Sequence, residues 1–126
     1  MIDHLGMAVS DYNRAKSFYE KALAPLGYGI VMEVGGEQGD PSAGFGSGGR
    51  PYFWISGSKG PKSPLHLAFS ANDRPAVDAF HRAALAAGGK DNGPPGIRAH
   101  YHPNYYAAFV LDADGNNIEA VCHSPA

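Results

Sequence analysis

The feature that most constrains the fold of this chain is an internal repeat. Residues 66–89, HLAFSANDRPAVDAFHRAALAAGG, align without a gap on residues 4–27, HLGMAVSDYNRAKSFYEKALAPLG. Identical pairs include the histidines at the start and the phenylalanines Phe18 and Phe80. A repeat of this kind indicates one supersecondary unit that is used twice. Each unit therefore opens with a strand that begins at a histidine, His4 in the first and His66 in the second.

The pattern within each repeat predicts a strand, a helix and three further strands. Residues 2–9 alternate between larger apolar side chains on one face and His4 among small residues on the other, as in a strand that is covered on both sides. Ser10 or Asp11 can cap the first helix, and Asp73 the second. Strands are also predicted at Tyr28–Val34, Ala43–Gly46, Tyr52–Ile55, Leu65–Ala71, Tyr105–Leu111 and Asn117–Cys122. Residues 92–104 are expected to be mostly loop.

The predicted fold class is α+β, with two tandem βαβββ modules. The modules span about residues 1–58 and 64–126, and the glycine- and proline-rich link Ser56–Pro64 separates them within a single domain. One module cannot bury its own apolar sheet face, so two modules must pack against each other or against those of a partner chain. We expect a curved mixed sheet around a cleft, with the helices outside.

Composition excludes several classes of function. A net charge of −2 with 17% charged residues gives no basic surface for nucleic acid. No apolar run approaches the ~20 residues that a membrane span needs. Met1 leads directly into the first strand, and the single cysteine, Cys122, suits a reducing compartment. We therefore expect a cytoplasmic protein with a small-molecule substrate.

Three residues form a candidate metal site. His4 and His66 occupy equivalent positions, and Glu119 lies on the last predicted strand, on the face opposite its apolar neighbours. Two histidines and a carboxylate suit a divalent ion such as Fe, Zn, Ni or Mn. In the first module Trp54 takes the place of the glutamate, so the site has three ligands at most. Alternatively, Glu119 pairs with Arg98 or a histidine as a structural ion pair.

The segment Arg98–Tyr106, RAHYHPNYY, is dense in groups that donate, accept or transfer protons. We assign proton transfer to Glu119, His102 and Tyr106. The alternative for the whole segment is a dimer contact or a solvated loop. The candidate substrate-binding residues are Trp54, Arg98, His100 and Tyr105.

Three stretches of the chain resemble a known superfamily. They are the opening IDHLGMAVSD, the central HLAFSA and the closing DADGNNIEAV, and together they are similar to the vicinal-oxygen-chelate superfamily. That superfamily includes glyoxalase I, bleomycin-resistance proteins and extradiol dioxygenases. The resemblance implies paired βαβββ modules, metal ligands at His4, His66 and Glu119, and a homodimer. The first-module carboxylate of glyoxalase I would correspond to Trp54.

Two functional hypotheses follow from the residues and the resemblance. The first is a metal-dependent enzyme, a lyase, isomerase or dioxygenase, that acts on a small oxygen-chelating substrate. The second is a metal-free protein of the bleomycin-resistance type that binds a small molecule in the cleft. Both histidines and Glu119 favour the enzyme, whereas Trp54 favours the binding protein.

Overall fold

The computed structural model describes residues 3–36, 39–57 and 64–126, which form eight strands and two helices. The first module contains β1 (Leu5–Val9), α1 (Tyr12–Leu23), β2 (Gly29–Val34), β3 (Ser42–Ser47) and β4 (Arg50–Gly57). The second contains β5 (His66–Ser70), α2 (Arg74–Ala86), β6 (Lys90–Ile97), β7 (Tyr106–Leu111) and β8 (Asn117–Cys122). A short 3₁₀ turn at Ala24–Leu26 follows α1. Most of the predicted link between the modules, residues 58–63, lies outside the described residues.

Each module folds into a four-stranded mixed sheet with the same topology. The strand orders are β1-β4-β3-β2 and β5-β8-β7-β6. The first pair of each sheet is parallel and the others are antiparallel. The α+β class and the two-module architecture are thus confirmed. Within the described ranges no strand pairing joins the two sheets, which are therefore separate and not one continuous sheet.

The two helices begin in the same way, as the repeat predicts. The side chain of Asp11 accepts a hydrogen bond from the backbone N–H of Arg14, and that of Asp73 accepts one from Ala76. Such caps satisfy N–H groups that have no partner within the helix. Each helix then buries one apolar face and leaves the other exposed. Neither helix has the length and apolar character needed to cross a membrane, as far as the described residues extend.

One hydrophobic core joins the two modules. It combines the buried face of each helix with one face of each sheet, including Val9 and Ile55 from the first sheet and Val110 and Ala120 from the second. Side chains alternate along a strand, so His4 and Glu119 belong to the opposite faces. We call these opposite faces the outer faces of the sheets.

Strand β6 corrects the prediction that residues 92–104 are mostly loop. It runs to Ile97 as an edge strand beside β7, and its register shifts between Asp91 and Gly93 and again between Gly93 and Gly96. Prolines are tolerated on an edge strand because their missing N–H need not join the ladder. The sequence KDNGPPGI therefore resembles a loop while it still completes the sheet.

Candidate functional site

The structure places Trp54 and Glu119 at equivalent positions of the two sheets. Gly6 on β1 pairs with Trp54 on β4, and Ala68 on β5 pairs with Glu119 on β8. Gly6 and Ala68 are themselves equivalent in the repeat. The predicted correspondence between the tryptophan and the glutamate is therefore a property of the fold.

Glu119 is the centre of a polar cluster on the outer face of the second sheet. Its Oε1 lies 3.0 Å from Nε2 of His66, and its Oε2 accepts a hydrogen bond from the hydroxyl of Tyr105. The glutamate side chain is 2% exposed, whereas that of His66 is 53% exposed. A buried carboxylate is tolerated when its oxygens have hydrogen-bond partners. The imidazole thus forms the accessible side of the cluster, which we call the Glu119 cluster.

Phe109 and Arg98 border this cluster. Phe109 pairs with Glu119 across β7 and β8, and its ring stacks on His66 with 6.3 Å between centroids. The guanidinium of Arg98 lies 5.3 Å from the centre of the Phe109 ring and donates hydrogen bonds to the carbonyl oxygens of Gly96 and Pro94, both at 2.8 Å. Arg98 is therefore held beside the cluster by the backbone of β6, the strand that ends one residue before it.

The connection between β6 and β7 positions the Tyr105 phenol. The backbone N–H of Arg98 donates to the carbonyl of Tyr105 at 2.7 Å, and that of Tyr105 donates to the carbonyl of His102 at 3.1 Å. The rings of Tyr101 and His123 pack against Tyr105, with 5.0 and 5.2 Å between centroids. These contacts fix the phenol over Glu119.

Tyr105 is a hydrogen-bond donor at neutral pH. Burial, followed by the hydrogen bond to Glu119 and the negative charge of that carboxylate, raises the pKa of Tyr105 to about 12. Because a phenol in solution has a pKa of about 10, Tyr105 keeps its proton throughout the neutral range. It orients the carboxylate and does not act there as a base.

We expect the ionisation of Tyr105 to shift when Glu119 is neutralised. In an alkaline titration followed by ultraviolet absorbance, the difference between the wild type and Tyr105→Phe should show one phenol with a pKa of about 12. Glu119→Gln should lower that pKa but leave it above about 10, because burial is the largest cause of the shift. The stabilisation linked to this raised pKa is present below about pH 10 and is lost as the pH rises through the folded value. A Tyr105 that titrates at its ordinary pKa would contradict the contact.

The structure does not bring His4 to this cluster. His4 precedes β1 on the outer face of the first sheet, its Nδ1 lies 2.8 Å from Asp3, and its side chain is 61% exposed. Across residues 3–36, 39–57 and 64–126, no three histidine, cysteine or acidic side chains are close enough to hold one metal ion. One chain therefore brings together two of the three predicted ligands, His66 and Glu119.

Tyr106 lies on the opposite face of β7 from Tyr105. Its hydroxyl donates to Asp78 of α2 at 2.6 Å, and the guanidinium of Arg74 lies over its ring. Adjacent strand residues point to opposite faces, so only one of the two tyrosines can contact Glu119. The structure gives that contact to the residue predicted for substrate binding, whereas Tyr106, predicted for proton transfer, packs on the helix side.

The two loop histidines lie at the edge of the cluster. His102 accepts a hydrogen bond from the backbone N–H of Asn104 at 3.0 Å, and its ring lies 5.9 Å from that of His123. His100 is exposed and packs on Tyr101 with 4.1 Å between ring centroids. Neither contacts Glu119 directly, so both belong to the rim.

Trp54 forms an aromatic surface on the outer face of the first sheet. It is half-buried, and its ring lies so close to Gly44 that a Cβ there would come within 2.9 Å of the indole. A flat, partly exposed indole can contact a planar ligand.

Two neighbours of the cluster, Phe109 and His123, are not among the predicted site residues. Phe109 could have been found from the alternation in β7. Its neighbours Ala108 and Val110 face the core, so Phe109 lies on the outer face. His123 follows the last strand, and no pattern in the sequence indicates that it packs on Tyr105.

Comparisons with known proteins agree with this architecture. The family model for the Glyoxalase/Bleomycin resistance protein/Dioxygenase superfamily matches residues 1–120. A glyoxalase/bleomycin resistance protein from Albidiferax ferrireducens T118 is 30% identical, with a TM-score of 0.78 over 97% of this chain and 98% of that chain. Glyoxalase I from Zea mays is similar in fold, with 22% identity and a TM-score of 0.72 over 96% of this chain and 45% of that chain. No curated protein matches.

Proposed function

The chain belongs to the glyoxalase/bleomycin resistance protein/dioxygenase superfamily, and from that premise we propose that it is a metal-dependent enzyme. The proposed substrate is a small molecule with adjacent oxygen atoms, and the reaction is that of a lyase, isomerase or dioxygenase. The observation that supports the proposal is the buried carboxylate of Glu119 beside the exposed imidazole of His66.

The separation of these two groups suits neighbouring ligands of one ion. Nε2 of His66 and Oε1 of Glu119 are 3.0 Å apart. Two ligand atoms at about 2.1 Å from a metal and at right angles to each other are separated by about 3.0 Å. The hydrogen bond from Tyr105 to the other carboxylate oxygen is the kind of outer contact that orients a metal ligand.

A second histidine–carboxylate pair shows what distinguishes the Glu119 cluster. His81 and Asp91 are also 3.0 Å apart, but there the histidine side chain is 11% exposed and the carboxylate is 52% exposed. In that pair the hydrogen bond satisfies a buried imidazole. In the Glu119 cluster the buried group is the carboxylate, which is held in place while the imidazole faces solvent.

We propose that a second copy of the chain supplies the third ligand. The outer face that carries His4 and the outer face that carries Glu119 both point away from the core that the modules share. Association of the first face of one chain with the second face of another would bring His4 to His66 and Glu119. The proposal therefore includes a homodimer. It also includes a cytoplasmic location, for which the support is one free cysteine, Cys122, buried in the core.

The chain's residues have distinct parts in the proposed reaction. A divalent ion held by His66, Glu119 and His4 would supply a Lewis acid for adjacent substrate oxygens. Tyr105 holds the carboxylate in orientation and retains its own proton. Arg98 is placed to bind a negatively charged part of the substrate, and His102 at the rim is placed to exchange protons with solvent.

Metal content tests the proposal. We expect protein purified without a chelator or a histidine tag to contain about one equivalent of Fe, Zn, Ni or Mn per chain, measured by elemental analysis. Glu119→Ala and His66→Ala should retain less than about a tenth of it, because each removes one of at most three ligands. Asp91→Asn is the matched control, since it disrupts a histidine–carboxylate pair of the same length and should leave the metal content unchanged. Absence of metal from the wild type even after loading would refute the enzyme as proposed.

Mixed dimers test the origin of the third ligand. His4→Ala and Glu119→Ala chains, each with a different affinity tag, can be co-expressed and the mixed dimer purified through both tags. If the ligands come from two chains, one of its two sites keeps His4, His66 and Glu119, and the dimer should bind about one ion. If all the ligands come from one chain, the mixed dimer should bind none.

The alternative function is metal-free binding of a small aromatic or cationic molecule. The observation that favours it is Trp54, which occupies the position equivalent to the glutamate. Trp54 is the single tryptophan of the chain, so its fluorescence reports on ligands at this face. A binding protein should show the same ligand-dependent quenching in the wild type and in His66→Ala, whereas a metal enzyme should lose both metal and activity in that variant.

A further inference from the structure

A cavity of about 330 Å³ opens between the two modules, away from the Glu119 cluster. Its buried lining consists of Leu23 from α1 and the rings of Phe45 and Phe53 from the first sheet, which are at most 3% exposed. Phe69 of β5 contributes a wall from the second module and stands edge-to-face on Phe53, with 5.3 Å between centroids. The cavity thus has aromatic walls from both modules.

The exposed part of the lining is polar. Tyr28, Ser47 and Tyr52 line the cavity with their hydroxyl-bearing side chains, and Tyr52 is 40% exposed. Tyr28 also packs on Phe69, with 6.2 Å between ring centroids. An apolar interior with a few polar groups at the opening is the usual form of a small-molecule site, and such sites begin at about 300 Å³.

The cavity and the Glu119 cluster lie on different faces of the sheets. Phe53 and Phe69 point to the shared core, whereas their chain neighbours Trp54 and Ala68 belong to the outer faces. None of the described residues that line the cavity belongs to the cluster. A ligand in the cavity would therefore be independent of the proposed metal site.

We propose that this cavity is a second binding site, which takes a neutral bicyclic aromatic molecule with one hydroxyl group. The described lining carries no charged side chain, which favours a neutral ligand. Apolar cavities of about 150 Å³ accept benzene, and this one has about twice that volume, which suits two fused rings. Phe45, Phe53 and Phe69 present both faces and edges to such rings, and the tyrosine and serine hydroxyls can bind the polar group.

The probe for this site is 2-naphthol, titrated into the full chain and followed by calorimetry. We expect saturable binding of one molecule per chain. Ser47→Trp places a large ring at the opening and should weaken binding at least tenfold. Ser17→Trp is the matched control, because Ser17 is exposed on α1 outside the cavity, and it should bind as the wild type does. Trp54→Ala should also leave binding unchanged.

A second measurement locates the probe in the wild-type protein, without any substitution. In amide NMR spectra of the wild type, 2-naphthol should shift the signals of Leu23, Ser47 and Phe69 and leave that of Glu119 in place. Absence of saturable binding would overturn the proposal. Binding that persists in Ser47→Trp but is lost in Trp54→Ala would overturn it too, because the probe would then lie on the outer face.

Discussion

Replacement of Asp112 by alanine should lower the free energy of unfolding by about 3–4 kcal/mol, because it leaves several buried donors without an acceptor. Asp112 lies in the turn between β7 and β8 and is 8% exposed. One carboxylate oxygen of Asp112 accepts hydrogen bonds from the Tyr19 hydroxyl and the side-chain amide of Asn116. The other accepts hydrogen bonds from the backbone N–H groups of Asp114 and Asn116. The carboxylate thus accepts four hydrogen bonds.

The contact with Tyr19 makes this network a connection between modules. Tyr19 belongs to α1 of the first module and is fully buried. Burial, together with the negative charge of Asp112, raises the pKa of Tyr19, so its hydroxyl remains a donor that needs an acceptor. Without Asp112 that donor would stay in the core without a partner, which costs more than the hydrogen bond itself contributes.

Urea denaturation of Asp112→Ala measures the effect. Asp114→Ala is the matched control in the same turn, because Asp114 contacts the exposed Ser10 and should cost about 1 kcal/mol or less. Tyr19→Phe in both backgrounds completes a double-mutant cycle, and the two losses should not add. Equal effects of Asp112→Ala and Asp114→Ala would show that the buried network contributes nothing of its own.

The repeat is sufficient to predict the modules because it encodes local structure twice. Asp11 and Asp73 cap their helices, and the two histidines lie at the start of equivalent parallel strands, His4 directly before β1 and His66 as the first residue of β5. The same alignment of the two repeats assigns Trp54 to the place of Glu119. Where side-chain periodicity is strong, local patterns determine both the elements and the direction of their side chains.

The composition of residues 92–104 does not indicate a strand. β6 is an edge strand whose prolines and glycines interrupt the usual alternation, and it is stabilised by pairing with β7, which the composition of the segment itself does not indicate. The positions of Tyr105 and Tyr106, in contrast, follow from alternation along β7. Tyr106 shares the core side with Ala108 and Val110, so Tyr105 lies on the outer side, where Glu119 is.

The relation between His4 and the Glu119 cluster cannot be predicted from equivalence alone. Equivalent positions in two repeats face one cleft only if the sheets meet along their edges. Here the core faces of both sheets pack into one interior, and in the described residues no strand pairing joins the sheets along their edges. The way in which two modules pack depends on contacts such as Phe53 with Phe69, which no single module encodes.

Gly46→Ala should lower the free energy of unfolding by at least about 3 kcal/mol or prevent folding. A Cβ at Gly46 would lie 1.8 Å from the carbonyl oxygen of Arg50, and that oxygen belongs to the backbone of β4 and cannot turn aside. Gly46 stands where the pairing of β3 and β4 shifts register, and its neighbours Phe45 and Ser47 both line the cavity between the modules. Relief of the overlap would require the two strands to separate.

Gly29→Ala is the matched control for this prediction. Gly29 pairs directly with Gly46 across β2 and β3, but nothing lies within 4 Å of a Cβ placed on it. Its replacement should change stability by less than about 1 kcal/mol, because a strand tolerates alanine at least as well as glycine. Urea denaturation of both variants gives the comparison. Similar stabilities would mean that β3 and β4 are not as close as the structure places them, and a strong loss confined to Gly46→Ala would confirm that this close approach is required for folding.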